Sequence, residues 1–187
     1  MNTDGLFSRF PTLETDRLIL RELTVSDYKA VFDIFRHSEV TRFYDQETFK
    51  GLEPAKNFVD SCIKRFYDRL GIRWGLVHKA DMKLIGTCGL HKLVDKFSRA
   101  EIGYDLAPDY WRRGLMSEAI KVILDHCFRE VGFNRIEALC MTGNSSSICL
   151  LEKLKFRPEG TLRQYGYWKN QYHDLIMLAL LKDDYES

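Results

Sequence analysis

The stretch from Arg99 to Ser117 constrains the fold more than any other part of the chain. A strand-like run, Arg99–Leu106, is stopped by Pro108, and Trp111-Arg112-Arg113-Gly114 leads directly into a helical pattern. That helix, Leu115 to Val131, carries Met116, Ala119, Ile120, Ile123, Leu124, Cys127 and Phe128, an apolar stripe at i, i+3, i+4 and i+7. A stripe so complete has to be buried, and the strand-like Arg135–Met141 that follows supplies part of a sheet to bury it.

The rest of the chain fits a sheet with helices on it. Arg17–Leu23 alternates Leu18 and Leu20 with Arg17, Ile19 and Arg21, giving a strand with one wetter face, and Thr24–Asp27 reads as a helix start. From Ser26, Ala30, Val31, Ile34 and Phe35 recur at helical spacing. A second helix, opened by Pro54, carries Phe58, Val59, Cys62, Phe66 and Leu70 and is ended by Gly71. Residues Glu39 to Glu53 read as irregular. Ile72–His78 and Leu84–Leu93, joined by the polar residues 79–83, form a hairpin. After Met141 come a helix from Asn144 to Leu154 and two strands, Phe156–Tyr165 and His173–Leu181. Strands on both sides of a packed helix, preceded by an antiparallel hairpin, predict one α/β (α+β) domain with a mixed sheet flanked by helices. The 187 residues suit a single domain with one active site.

Composition excludes several functions. Lys plus Arg total 28 against 27 Asp plus Glu, which leaves no positive field for a nucleic-acid backbone. Apolar residues are 45% and charged residues 29%, as expected of a folded soluble protein. No apolar run approaches the roughly 20 residues needed to span a bilayer, and MNTDGLFSRF lacks a signal-peptide core, so no membrane association and a cytoplasmic location are expected. Cys62, Cys88, Cys127, Cys140 and Cys149 lack the paired spacing of a zinc or redox site and read as buried reduced thiols, with no metal implied.

Two junctions carry chemistry. Arg112-Arg113-Gly114-Leu115-Met116-Ser117 ends a strand and opens a helix, so free N–H groups and the positive end of the helix dipole suit a phosphate or pyrophosphate. Gly114 permits positive φ or close approach, and the two arginines add charge; a tight turn with two solvated arginines has the same residues. The spacing is neither that of a P-loop nor that of a dinucleotide fold, which disfavours a nucleoside triphosphate or NAD. In the second junction, Met141–Ser147, Asn144 is a natural N-cap with Ser147 one turn on.

Here the sequence resembles the GCN5-related N-acetyltransferases (GNAT superfamily). Tyr110 to Ala119 resembles their acetyl-CoA loop; Asn144-x-x-Ser147 with Leu151-Glu152-Lys153-Leu154-Lys155-Phe156 resembles their second motif. Leu13 to Arg21 and Glu159 to Arg163 are similar to the branch containing ribosomal-protein (alanine/serine) N-terminal acetyltransferases, and the likeness runs from about Leu13 to Leu181. Trp111, Met116 and Lys155 depart from the wider family, which favours Gln or Arg, Gly or Ala, and Gly at those places.

The resemblance implies the GNAT (acyl-CoA N-acyltransferase) fold with a mostly antiparallel sheet, and acetyl-CoA as cosubstrate. Pantetheine is then expected between Glu101–Leu106 and Arg135–Met141, with the pyrophosphate on the N–H groups of Arg113 to Ser117. Leu106, Arg112, Arg113, Gly114, Leu115, Met116, Ser117, Asn144 and Ser147 are the coenzyme-binding candidates. Glu101 is the candidate general base, directly or through water, and Ser147 the candidate partner of the departing thiolate; a salt-bridged Glu101 and a simple capping turn are the plainer alternatives. Tyr165, Tyr167 and Trp168 are expected to wall the amine pocket. The implied acceptor is a primary amine, foremost a protein N-terminus such as that of a ribosomal protein. A small amine (polyamine, aminoglycoside or amino acid) is the second reading, and a non-catalytic acyl-CoA sensor the third. The chain is expected to be a monomer or homodimer, with exposed aromatics in Phe43–Phe49 as a dimer contact.

Overall fold

The strands Arg99–Leu106 and Arg135–Met141 run parallel, but they pair only where Arg99–Glu101 faces Arg135–Glu137. Beyond that register the two part, and this opening organises the molecule. The computed structural model describes residues 3–186. Its elements are α1 (Thr3–Ser8), β1 (Leu13–Glu14), β2 (Leu18–Glu22), α2 (Tyr28–Phe35), α3 (Ser38–Thr41), α4 (Leu52–Tyr67), β3 (Gly71–His78), β4 (Lys83–Val94) and β5 (Arg99–Leu106). They continue with α5 (Leu115–Asp125), β6 (Arg135–Met141), α6 (Ser145–Lys153), β7 (Arg157–Trp168), β8 (Gln171–Leu181) and α7 (Lys182–Glu186).

The strands form one sheet in the order β1-β2-β3-β4-β5-β6-β8-β7. Every described pairing is antiparallel except β5–β6. The predicted mixed, mostly antiparallel sheet is therefore the one observed. One face buries the apolar stripe of α5, with Ala119, Ile120, Ile123 and Leu124 fully enclosed against Trp74, Ala100, Ile102 and Ile136. Each fully buried Leu or Ile of that layer contributes roughly 1.5–3 kcal/mol. The helix continues past Asp125 as a π-turn, His126–Val131, which keeps Cys127 and Phe128 in the same core. The other face is covered by α2 and α4, through Val31, Ile34, Phe35, Ala55 and Val59.

Several boundaries differ from the sequence reading. α1 brings Leu6 into the main core, with Phe7 and Phe10 packed on Phe66. Residues Glu39 to Glu53 are not wholly irregular, since α3 occupies part of them and α4 begins at Leu52, placing Pro54 inside its first turn, where no intrahelical N–H is required. That helix ends at Tyr67, leaving Leu70 exposed outside it. Arg69 takes the left-handed conformation (φ 60°) that ends the turn, so Gly71 is free to open β3. The aromatics of 43–49 do not form an exposed patch: Phe49 is buried and stacks on Phe35 at 5.0 Å, while Phe43 and Tyr44 are half-buried and face inward. All five cysteines are free thiols, three of them buried, but Cys149 is exposed and Cys62 half-buried. Among the described residues no helix is long and apolar enough to cross a membrane.

Candidate active site

Where β5 and β6 part, a cavity of about 1020 Å³ opens. Its walls come from Glu101–Tyr104 of β5, Ala138–Met141 of β6, the start of α6, and residues of α4 and the 43–49 segment. Glu101, Asn144 and Ser147, named from sequence, all face it.

Glu101 is buried, and its carboxylate meets two basic groups. Lys92 Nζ donates to Oε2 at 3.0 Å, and His91 Nε2 lies 3.5 Å from the same oxygen. Successive residues of a regular strand point to opposite faces, so both reach Glu101 because β4 is irregular between His91 and Val94, with Lys92 at φ 49°. Burial pushes the Glu101 pKa up, but the hydrogen bonds and charges of His91 and Lys92 outweigh it and hold the carboxyl below its ordinary value. The group is thus a salt-bridged carboxylate at neutral pH, and it also lines the cavity.

At the opposite wall Asn144 caps α6: Ser147 N–H donates to Asn144 Oδ1 at 3.2 Å. Ser147 Oγ lies 2.5 Å from the hydroxyl of Tyr104, a cavity residue that the sequence reading did not single out. No spacing rule points to Tyr104, because its partner is brought by α6 across the strand opening.

The Arg112–Ser117 turn lies apart from this cavity, on the exposed surface. Gly114 adopts φ 78° as N-cap of α5, and the first intrahelical bond runs from Glu118 N–H to Gly114 O at 3.0 Å. The N–H groups of Leu115, Met116 and Ser117 therefore precede the helical ladder, where an anion is favoured. Leu115 and Met116 bury their side chains in the core, so the departure at Met116 leaves the outer surface of the turn unchanged. Arg112 is itself left-handed (φ 57°), and Arg113 lies over the Tyr110 ring. Leu106 does not line the cavity; its carbonyl accepts from the Trp111 indole at 2.7 Å, which anchors the start of the turn. A pyrophosphate fits this exposed turn, and an extended pantetheine arm fits the opening between the unpaired edges of β5 and β6.

Two further groupings escaped the sequence reading. Arg73, Asp105, Thr87 and Tyr44 form a buried network beside the cavity: Arg73 Nη2 reaches Asp105 Oδ2 at 2.8 Å and the Tyr44 hydroxyl at 2.9 Å. Thr87 donates both its N–H (3.0 Å) and its hydroxyl (2.6 Å) to Asp105. Arg17 bonds to Glu118 and to the Arg113 carbonyl and so grips the turn at Gly114. Of the three residues expected to wall the amine pocket, Tyr165 and Trp168 line the cavity, whereas Tyr167 is exposed and packs on Tyr172 at 4.9 Å. The Trp168 ring lies on His173 (4.3 Å) and over Gly166, where a Cβ would come within 1.9 Å of it.

The chain thus has an open mixed sheet that splits at its one parallel pair, and a Gly114-capped helix start whose first N–H groups precede the helical ladder. Residues 17–157 match the acetyltransferase (GNAT) domain, and the chain belongs to that family and is an N-acetyltransferase. It is 41% identical over 173 residues to the uncharacterized N-acetyltransferase YoaA of Bacillus subtilis, covering 92% of this chain and 98% of the relative. A GNAT-family acetyltransferase from Bacillus anthracis has the same fold (TM-score 0.82, 25% identity, covering 92% of this chain and 99% of that one). Relatives and neighbours differ in their named acceptors. Spermidine N(1)-acetyltransferase of Escherichia coli is 24% identical over 166 residues, 89% of this chain and 87% of the relative. Ribosomal-protein-S5-alanine acetyltransferase of Vibrio fischeri superposes with TM-score 0.81 at 23% identity, over 95% of this chain and all of that one (100%).

Proposed function

We propose that this enzyme transfers the acetyl group of acetyl-CoA to the α-amine of a protein or peptide amino terminus, such as that of a ribosomal protein, by direct attack within a ternary complex. The observation that carries this reading is the state of Glu101. A carboxylate held below its ordinary pKa by Lys92 and His91 is a weak base. A polyamine or lysine amine, with pKa about 10.4, is on the order of 0.1% neutral at pH 7, whereas an α-amine near about 7.8 is more than a tenth neutral. The weak base suits the second acceptor.

The charges of the cavity favour the same choice. A polyamine needs uncompensated carboxylates, but Glu101 is matched by Lys92 and His91, and Arg65 also faces the space, with Asp45 as the other lining acid. In this reading the N–H groups of Arg113 to Ser117, with Arg112 alongside, hold the pyrophosphate; Leu106 and Asn144 shape the coenzyme path; Glu101 orients the amine and accepts its proton directly or through water. Ser147 hydrogen-bonds the departing sulfur. The thioester supplies an already activated acetyl group, so alignment of the amine is the main demand on the protein.

The test is thiol release from acetyl-CoA with N-terminal peptides, spermidine, an aminoglycoside and free amino acids as acceptors. Turnover highest with a peptide is the expected outcome. Turnover confined to a small amine overturns the acceptor assignment, and coenzyme binding with no turnover on any acceptor class replaces it with a sensor.

A further inference from the structure

Tyr104 projects from β5 just beyond the point where that strand leaves β6, and both it and Ser147 line the cavity. Its hydroxyl lies 2.5 Å from Ser147 Oγ and 3.5 Å from Ser147 O, so both acceptors within reach belong to the same residue. We propose that Tyr104 is a positioning residue for Ser147: the phenol donates to Ser147 Oγ and turns the serine hydroxyl hydrogen into the cavity, toward the sulfur that leaves during acetyl transfer. This rests on the reading above that acetyl transfer takes place in this cavity with Ser147 at the sulfur.

Two features support the direction of that bond. A phenol is more acidic than an alkanol, so in a Tyr–Ser pair the tyrosine is the better donor. Burial raises the Tyr104 pKa far above its ordinary value, more than the Ser147 hydrogen bond lowers it, so the phenol keeps its proton throughout the working range.

During transfer the amine nitrogen forms a bond to the acetyl carbon, the carbon–sulfur bond breaks, and its electron pair stays on sulfur. The proton that finally reaches sulfur balances the one the nitrogen loses. Ser147 and Tyr104 lose none; their hydrogen bonds stabilise the negative charge on sulfur while it exists.

The experiment compares Ser147→Ala, Tyr104→Phe and the double variant with the wild type. It reads steady-state kinetics, calorimetric CoA affinity, and the pKa of the thiol of bound CoA, followed by thiolate ultraviolet absorbance across pH. Tyr104→Phe is expected to lower kcat by about tenfold, the worth of one hydrogen bond, with KM for acetyl-CoA little changed. It should also raise the bound-thiol pKa, and the double variant should be no worse than Ser147→Ala. Tyr104→Phe leaving both kcat and the thiol pKa unchanged, or effects of the two substitutions that multiply, overturns the proposal while leaving Ser147 in its role. If Ser147→Ala changes neither quantity, the placement of Ser147 at the sulfur fails and the proposal fails with it. Should Tyr104→Phe lose CoA binding, fluorotyrosine at 104 replaces it: a more acidic phenol of nearly the same shape should lower the bound-thiol pKa, and no change refutes the relay.

Discussion

Arg17 holds the Arg112–Ser117 turn in place through Glu118. Its Nε donates to Glu118 Oε2 at 2.7 Å, its backbone N–H to Oε1 at 3.0 Å, and its Nη1 to the carbonyl of Arg113 at 2.9 Å. Thr15 adds its hydroxyl to the same carboxylate. A residue next to the first long strand thereby fixes the first turn of α5 and the peptide unit before Gly114, which gives a structural reason for Arg17 in the opening motif. Arg17→Ala is expected to weaken coenzyme binding by about tenfold, since one backbone contact and the orientation of the turn are lost together. Calorimetry should show that loss while kcat at saturating acetyl-CoA stays near the wild-type value. Unchanged affinity would mean that the turn is held by Gly114 and the α5 core without Arg17.

Glu101 predicts two distinct pH effects. With an α-amine acceptor, the rise of kcat/KM with pH should follow the amine, about 7.8, because the Glu101 carboxylate is already charged well below that. Glu101→Gln should therefore lower the plateau, on the order of 100-fold, without moving the midpoint. A moved midpoint would assign the titration to Glu101. For stability, the folded pKa is depressed, so the unfolded chain binds more protons between the two values. The contribution of Glu101 is complete above its unfolded pKa of about 4.3 and is lost as pH falls through the lower folded value. Urea midpoints should separate wild type from Glu101→Gln most at neutral pH and converge in acid.

The parts of the site legible in the sequence are those built from local chain. Arg99–Leu106 and the start of the helix at Leu115 were read to the residue, because Pro108, Gly114 and a seven-position apolar stripe mark them strongly. Asn144 was recognisable as an N-cap for the same reason. What escaped depends on contacts distant in sequence or on local irregularity. Lys92 reaches Glu101 only because of the irregularity in β4, Tyr104 meets a serine 43 residues away, and Arg73 finds Asp105 across the intervening strand. Leu70 satisfied the helical period but lies beyond the left-handed turn at Arg69, which nothing in residue type announces. The 43–49 aromatics look like a surface patch in a one-dimensional reading and turn out to face the cavity or the core.

Lys155, unexplained from sequence, occupies the left-handed position after α6, with φ 69°. There the chain turns back: Lys155 N–H donates to Glu152 O and Phe156 N–H to Leu151 O, each at 3.0 Å. Glycine is favoured at such a position because a Cβ is strained there, and the lysine head reaches only a long contact among the described residues, 3.5 Å from Nζ to Asp184 O. Replacing the strained lysine removes a cost of about 1–2 kcal/mol, partly offset by the greater unfolded-state entropy of glycine. Lys155→Gly should thus stabilise the fold by roughly 0.5–1 kcal/mol, seen as a rise of about 1–4 °C in Tm. A fall in Tm would show that the lysine side chain contributes more than the backbone strain costs.

Asp105 and Arg73 make the costliest polar pair to break. The aspartate side chain is 1% exposed and accepts three hydrogen bonds, from Arg73 and from both donors of Thr87. Asp105→Ala would leave the buried guanidinium without its counter-charge, at a cost of about 3–5 kcal/mol. The double change Arg73→Met with Asp105→Ala removes both charges and should cost clearly less than the sum of the single changes. The cavity wall made by Arg73 and Tyr44 should deform with it, so KM for the acceptor is expected to rise more than the Kd for CoA, whose pyrophosphate the proposed function assigns to the α5 turn. Urea unfolding of the single and double variants measures the coupling directly. Additive single effects would mean that each charge is solvated independently and that the network beside the cavity carries no mutual stabilisation.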